Sequence, residues 1–164
     1  MRTVYSFEDW DGWRWGLCIP LALHQLATLH LDDVDAALAV IRAGYLWFDD
    51  DGFAERASHW WIDDASGRPL DGPVLLDLPP VVHRAALYVA SPAQLIRAAR
   101  LEADKFLRSG LDVRAAVEAE VDLLVGLRVV SAEVGSRDIP GRPGRRDGTA
   151  PNRWGCPTNL EGAP

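Results

Sequence analysis

Three residues in one chain order carry the chemistry that the sequence suggests: Cys18, then His59, then Asp71. A thiolate attacks carbonyl carbon, but it needs a base within hydrogen-bond reach, and the base needs an acceptor to orient it. Cys18 opens an apolar run. His59 stands in Ser58-His59-Trp60-Trp61-Ile62-Asp63-Asp64, and Asp71 closes Gly67-Arg68-Pro69-Leu70-Asp71. This order implies acyl transfer, in which a thiol attacks an amide or ester and an imidazole moves the proton. Taken alone, Cys18 reads as a buried structural cysteine, because free cysteine is among the most buried residue types. The imidazole and carboxylate downstream give the catalytic reading its weight.

The elements must bring these side chains together. Residues 17–31 read as a helix with Pro20 tolerated in its first turn, which puts Cys18 at or just before the helix N-terminus. Unpaired amides and the helix dipole favour a thiolate there. Asp32 or Asp33 caps a second helix carrying Val34, Ala37, Leu38 and Ile41 at helical spacing, with Gly44 as its stop. Tyr45 to Phe48 is a strand, and Asp49 to Gly52 is a turn that lacks the glycine position and glutamate of a calcium loop.

Residues 57–64 give the clearest strand, with Ser58, Trp60 and Ile62 on one face and His59 and Trp61 on the other. After the turn Ala65-Ser66-Gly67, residues Arg68 to Asp71 return as a partner strand. Paired positions in such a hairpin sum to roughly 130, so Asp71 falls beside His59. Asp63 and Asp64 lie at the turn end, farther from the ring. His24 and His30 run along the Cys18 helix away from its start, and His83 follows Pro79-Pro80 in a connection.

Val74 to Leu78 and Ala86 to Val89 are further strands. Ser91-Pro92-Ala93-Gln94 has the cap, proline and glutamine of a helix start, and that helix runs to about Arg108 before Gly110. Another helix runs from Asp112 to about Val125, and Leu127 to Ser131 reads as a last strand. The expected architecture is α+β: a small antiparallel sheet packed on the helix starting at Cys18, with two further C-terminal helices. Residues 1–134 form one domain, and residues 135–164, rich in proline, glycine and arginine, form a flexible tail.

Composition narrows the function classes. The 164 residues suffice for one core, and 48% are hydrophobic, which excludes global disorder. Residues 1–134 hold 12 basic and 21 acidic side chains, whereas residues 135–164 hold 5 basic and 3 acidic. So acidic a folded part argues against nucleic acid as a partner. No apolar run is long enough to span a membrane, and the acidic, aromatic N-terminus lacks the pattern of a secretion signal. A cytoplasmic location follows as the expectation, with Cys18 and Cys156 both free thiols. No cysteine or histidine spacing suits a metal, and no cofactor is expected.

Within residues 13–73 the chain resembles the transglutaminase-like branch of the papain-like thiol enzymes. The resemblance rests on Gly16-Leu17-Cys18 before an apolar helix, on Ser58-His59-Trp60-Trp61-Ile62, and on Gly67-Arg68-Pro69-Leu70-Asp71. In that family a cysteine begins the central helix, a histidine leads a strand as His-x-Trp, and an aspartate closes the next strand. The resemblance implies Cys18 as nucleophile, His59 as general base and acid, and Asp71 as orienting carboxylate. The chain departs from the family where Gly72-Pro73 replaces Pro-Thr after the aspartate. It also has no upstream glutamine for an oxyanion hole, a role left to the Cys18 amide or the indole of Trp13 or Trp15.

Six of the seven tryptophans precede residue 62. Core packing accounts for them, and a substrate cleft formed by Trp13, Trp15 and Trp61, with Trp10 nearby, is the functional alternative. The expected function is thiol-dependent acyl transfer or hydrolysis on a protein, peptide or small amide, of the cysteine-protease-like kind. The alternative is a non-catalytic protein-binding or accessory subunit with a Trp-rich surface.

Overall fold

The computed structural model describes residues 3–4, 17–71 and 80–136. After β1 (Thr3–Val4) come α1 (Cys18–Asp32), a 3-10 turn (Ala36–Leu38), β2 (Val40–Asp50) and β3 (Phe53–Asp63). They are followed by β4 (Val81–Ala90), α2 (Pro92–Arg108), β5 (Leu111–Asp112), α3 (Arg114–Gly126) and α4 (Ala132–Gly135). The fold is α+β, with a three-stranded antiparallel sheet in the order β3-β2-β4 and helices packed on it. The two short strands β1 and β5 pair in parallel.

The apolar pattern of α1 runs almost all round, and its first half is enclosed: Cys18, Ile19, Leu21, Ala22, Leu23, Leu26 and Ala27 are buried. One core cluster joins this helix to Ile41 and Ala43 of β2, Trp60 and Ile62 of β3, Leu95, Ile96 and Ala99 of α2, and Val117, Val121 and Leu124 of α3. A hydrogen bond between His24 Nδ1 and Glu120 Oε1 at 2.6 Å ties α1 to α3. Arg100 of α2 grips both carboxylate oxygens of Glu118 and donates to the carbonyls of Val134, Gly135 and Ser136, which closes the end of α4. The start of α2 follows its sequence signature, with Ser91 and Gln94 forming a reciprocal capping box and Pro92 in the first turn. No helix among the described residues is long and apolar enough to cross a membrane.

Two expected elements are replaced. The helix expected from Val34 to Ile41 is a single 3-10 turn, and Val40 and Ile41 already belong to β2. Ile41 is claimed from both sides, by Ile62 of β3 and Ala90 of β4, and this double pairing overrides helical spacing. Gly44 is therefore no helix stop. It lies mid-strand at an irregularity in the β2–β4 register, where an added Cβ would overlap the Ala85 carbonyl.

The strand expected at Leu127 to Ser131 is instead the closing turn of α3. Arg128 N–H donates to Val125 and Val129 N–H to Leu124, with Arg128 at φ 59°. These are the paired bonds of a Schellman cap, so the amides a strand would use are already engaged. The expected strand at Val74 to Leu78, and the tail from residue 137 onward, lie outside the described residues.

Candidate functional site

The β2–β3 hairpin sets the site. Its two-residue turn, Asp51-Gly52, has φ of 49° and 87°, the twist that tight hairpins need, and Asp49 Oδ1 accepts from Gly52 N–H. From there the register runs unbroken to Gly44 opposite His59, Arg42 opposite Trp61 and Val40 opposite Asp63. Alternation then puts Trp60 and Ile62 into the α1 cluster and turns His59 and Trp61 to the other face. Their rings confirm the shared face, lying stacked with centres 5.9 Å apart and planes 13° apart.

Asp71 reaches that face through a locked turn. Asp64 Oδ1 accepts from Ser66 N–H, Ser66 Oγ and Arg68 N–H, and Leu70 N–H donates to the Ile62 carbonyl at 2.8 Å. Residues 68–71 thus return along β3, through the one bridge Asp63–Pro69 rather than a full strand, and two residues off the expected register, which sets Asp71 level with Trp61. Asp71 Oδ2 lies 2.6 Å from His59 Nε2. The side chains are 2% and 4% exposed respectively, so the pair is shielded from water.

A third residue completes this arrangement. Arg84 of β4 donates from Nη1 to Asp71 Oδ2 at 2.8 Å and from Nη2 to Oδ1 at 2.7 Å. Its guanidinium carbon lies 5.6 Å from the centre of the Trp61 ring. Burial alone would push the Asp71 carboxyl up, but the hydrogen bonds from His59 and Arg84 outweigh it and hold the group below the ordinary carboxylate value. With Asp71 ionised, the His59 Nε2–H donates to it, which leaves Nδ1 as the ring nitrogen not engaged by the carboxylate.

Sequence reasoning missed Arg84. A signal was present in the pair His83-Arg84 set within the apolar run Val81-Val82 and Ala85-Ala86-Leu87-Tyr88-Val89, since an arginine on a strand is commonly paired with an anion where it is partly buried. Asp63, set aside as the orienting carboxylate, has its own partners, accepting from Trp61 Nε1 at 3.0 Å and from Arg42 Nε at 3.0 Å.

Cys18 is the first residue of α1 and 2% exposed. Position in the helix leaves the Cys18 and Ile19 amides without an intrahelical acceptor, the donors an oxyanion would need. Its sulfur is in a disulfide, which corrects the expectation of a free thiol. The other cysteine, Cys156, lies outside the described residues.

The structure brings His59 and Asp71 together. It holds Cys18 in the cluster that contains Trp60 and Ile62, on the side of β3 from which His59 is turned away. Trp61 joins the site by stacking on His59, while Trp10, Trp13 and Trp15 lie outside the described residues. Comparison of the chain with family models, with curated proteins and with solved structures gave no match.

Proposed function

We propose that the chain is a thiol-dependent enzyme that transfers or hydrolyses the acyl group of a protein, peptide or small amide, with Cys18, His59 and Asp71 as its triad. The observation that carries this reading is the buried 2.6 Å contact between His59 Nε2 and Asp71, two residues that the hairpin count and the resemblance had put side by side. Reduction of the Cys18 disulfide by an external thiol comes first, and a reducing cytoplasm is the compartment this reading requires. The reading further requires that the reduced Cys18 side chain and the His59 ring come within reach of each other; the Cys18 sulfur then attacks the carbonyl carbon while its proton passes to His59. The carbonyl oxygen becomes an oxyanion facing the amides at the start of α1, and its collapse expels the amine, which takes the proton from His59. Water, an amine or another thiol resolves the acyl-enzyme. Asp71 holds the ring and its tautomer, and Arg84 holds Asp71.

The test is the pH dependence of Cys18 alkylation in the reduced chain, followed by mass spectrometry of the Cys18 peptide. The reading expects an inflection at least one pH unit below the 8.5 of a free thiol. In His59→Gln the inflection should return towards that value. An unshifted inflection, the same in both proteins, would refute it.

A second reading is favoured by a specific observation: Cys18 is oxidised and grouped with the residues of β3 that His59 faces away from. In that reading the chain is a non-catalytic binding or accessory protein, and His59, Asp71 and Arg84 form a buried polar clasp that fixes the turn before β4. The same alkylation profile separates the two.

A further inference from the structure

A groove of about 500 Å³ runs beside the C-terminal half of α1, within the size range of ligand sites. Its floor is apolar at Leu29 and Leu70, and its polar wall carries Gln25, Thr28, Asp32 and Asp33. The Gln25 side chain donates to the Leu70 carbonyl at 3.4 Å, which links the helix to the end of the turn that follows β3. The lining holds no lysine or arginine, and its one histidine, His24, is already engaged with Glu120.

Three sources of negative potential converge at one end. Asp32 and Asp33 are exposed, and α1 ends there with its carbonyls and the negative pole of its dipole. Asp33 Oδ1 accepts from Asp35 N–H at 2.7 Å, which orients that carboxylate. A ligand matching both ends has an aliphatic stem for Leu29 and Leu70 and a cation for the aspartates.

We propose that this groove binds the side chain of an arginine or lysine in a peptide, with its methylenes on Leu29 and Leu70 and its cation against Asp32, Asp33 and the end of α1. The two ends divide the work. The apolar floor takes the stem, as long basic side chains commonly bury theirs, and the aspartates choose the charge. The assignment does not depend on the thiol chemistry, because it concerns binding alone.

The experiment is a titration of the full chain with N-acetyl-arginine-N-methylamide, observed by NMR at the Leu29, Thr28 and Leu70 amides. A monocation in an open groove should bind with a Kd of about 1 mM. The norleucine analogue, which keeps the stem and lacks the cation, should bind at least tenfold more weakly. Asp32→Asn with Asp33→Asn should weaken arginine binding at least fivefold, and the asparagine can still accept the Asp35 N–H. Thr28→Lys, which places an ammonium in the groove, should abolish binding, and raising the salt from 0.05 to 0.5 M should weaken it. Absence of saturable shifts up to 20 mM would overturn the proposal. So would equal binding of the norleucine analogue, or undiminished binding in the double variant with its amide spectrum otherwise unchanged.

Discussion

Replacing Asp71 with asparagine tests the buried clasp at its centre. The carboxylate accepts three hydrogen bonds, one from His59 at 2.6 Å and two from Arg84 at 2.7 and 2.8 Å. An asparagine of the same shape has one oxygen and one NH2, so at least one of those donors must face another donor. Hydrogen bonds to a charged group are worth roughly 1.5–3 kcal/mol each, and breaking a buried pair costs about 3–5 kcal/mol. The Arg84 side chain is 24% exposed and can recover some hydration, which favours the low end. The expected loss is about 3 kcal/mol at pH 7, a large part of the stability of a domain this size.

The assay is urea unfolding of the reduced proteins across pH. Because the folded-state carboxyl is held below its ordinary value of 3.8, its contribution is present above that pH and lost as pH falls through the lower folded value. The gap between wild type and Asp71→Asn should therefore close as pH falls below about 4. A cycle with Arg84→Met should show coupling of about 1.5 kcal/mol or more. A gap under about 1 kcal/mol at pH 7, or one that persists in acid, would refute this account of the cluster. Loss of activity in Asp71→Asn alone would not establish a catalytic role, since the same change loosens the fold.

Two further substitutions probe the hairpin and the helix end. Gly44→Ala should destabilise the chain by about 2 kcal/mol or more in the same unfolding assay, because the methyl meets the Ala85 backbone rather than a side chain that can move. Arg128→Gly should stabilise by about 0.5–1 kcal/mol, read as a raised Tm. It relieves the left-handed strain at φ 59°, less the entropy that glycine adds to the unfolded chain.

Much of this arrangement was legible because it depends on local rules. Cys18 at the head of α1, the two faces of β3, and the boundaries of α2 follow from apolar spacing, alternation and a capping box. Asp71 was found by counting through a tight turn, although the one bridge, Asp63–Pro69, lies two residues off the expected pairing and sets Asp71 level with Trp61, from where its side chain reaches His59. What the sequence hid was non-local. Residues 34–44 have helical spacing, yet Ile41 sits between two strands, one of them drawn from nearly fifty residues downstream. Arg84 comes from β4, and nothing near it in sequence names Asp71 as its partner. The oxidation of Cys18 depends on spatial approach, which spacing along a chain does not encode.

The most direct test of the proposed triad is a crystal structure of the reduced chain, read at one distance, from Cys18 Sγ to the nearer ring nitrogen of His59. Catalysis requires about 4 Å or less, allowing for the looser geometry of an unliganded site, and the proposal predicts that value with His59 still bonded to Asp71. A separation above about 8 Å, with Trp60 and Ile62 of β3 still packed against α1, would contradict it and leave the accessory reading in its place.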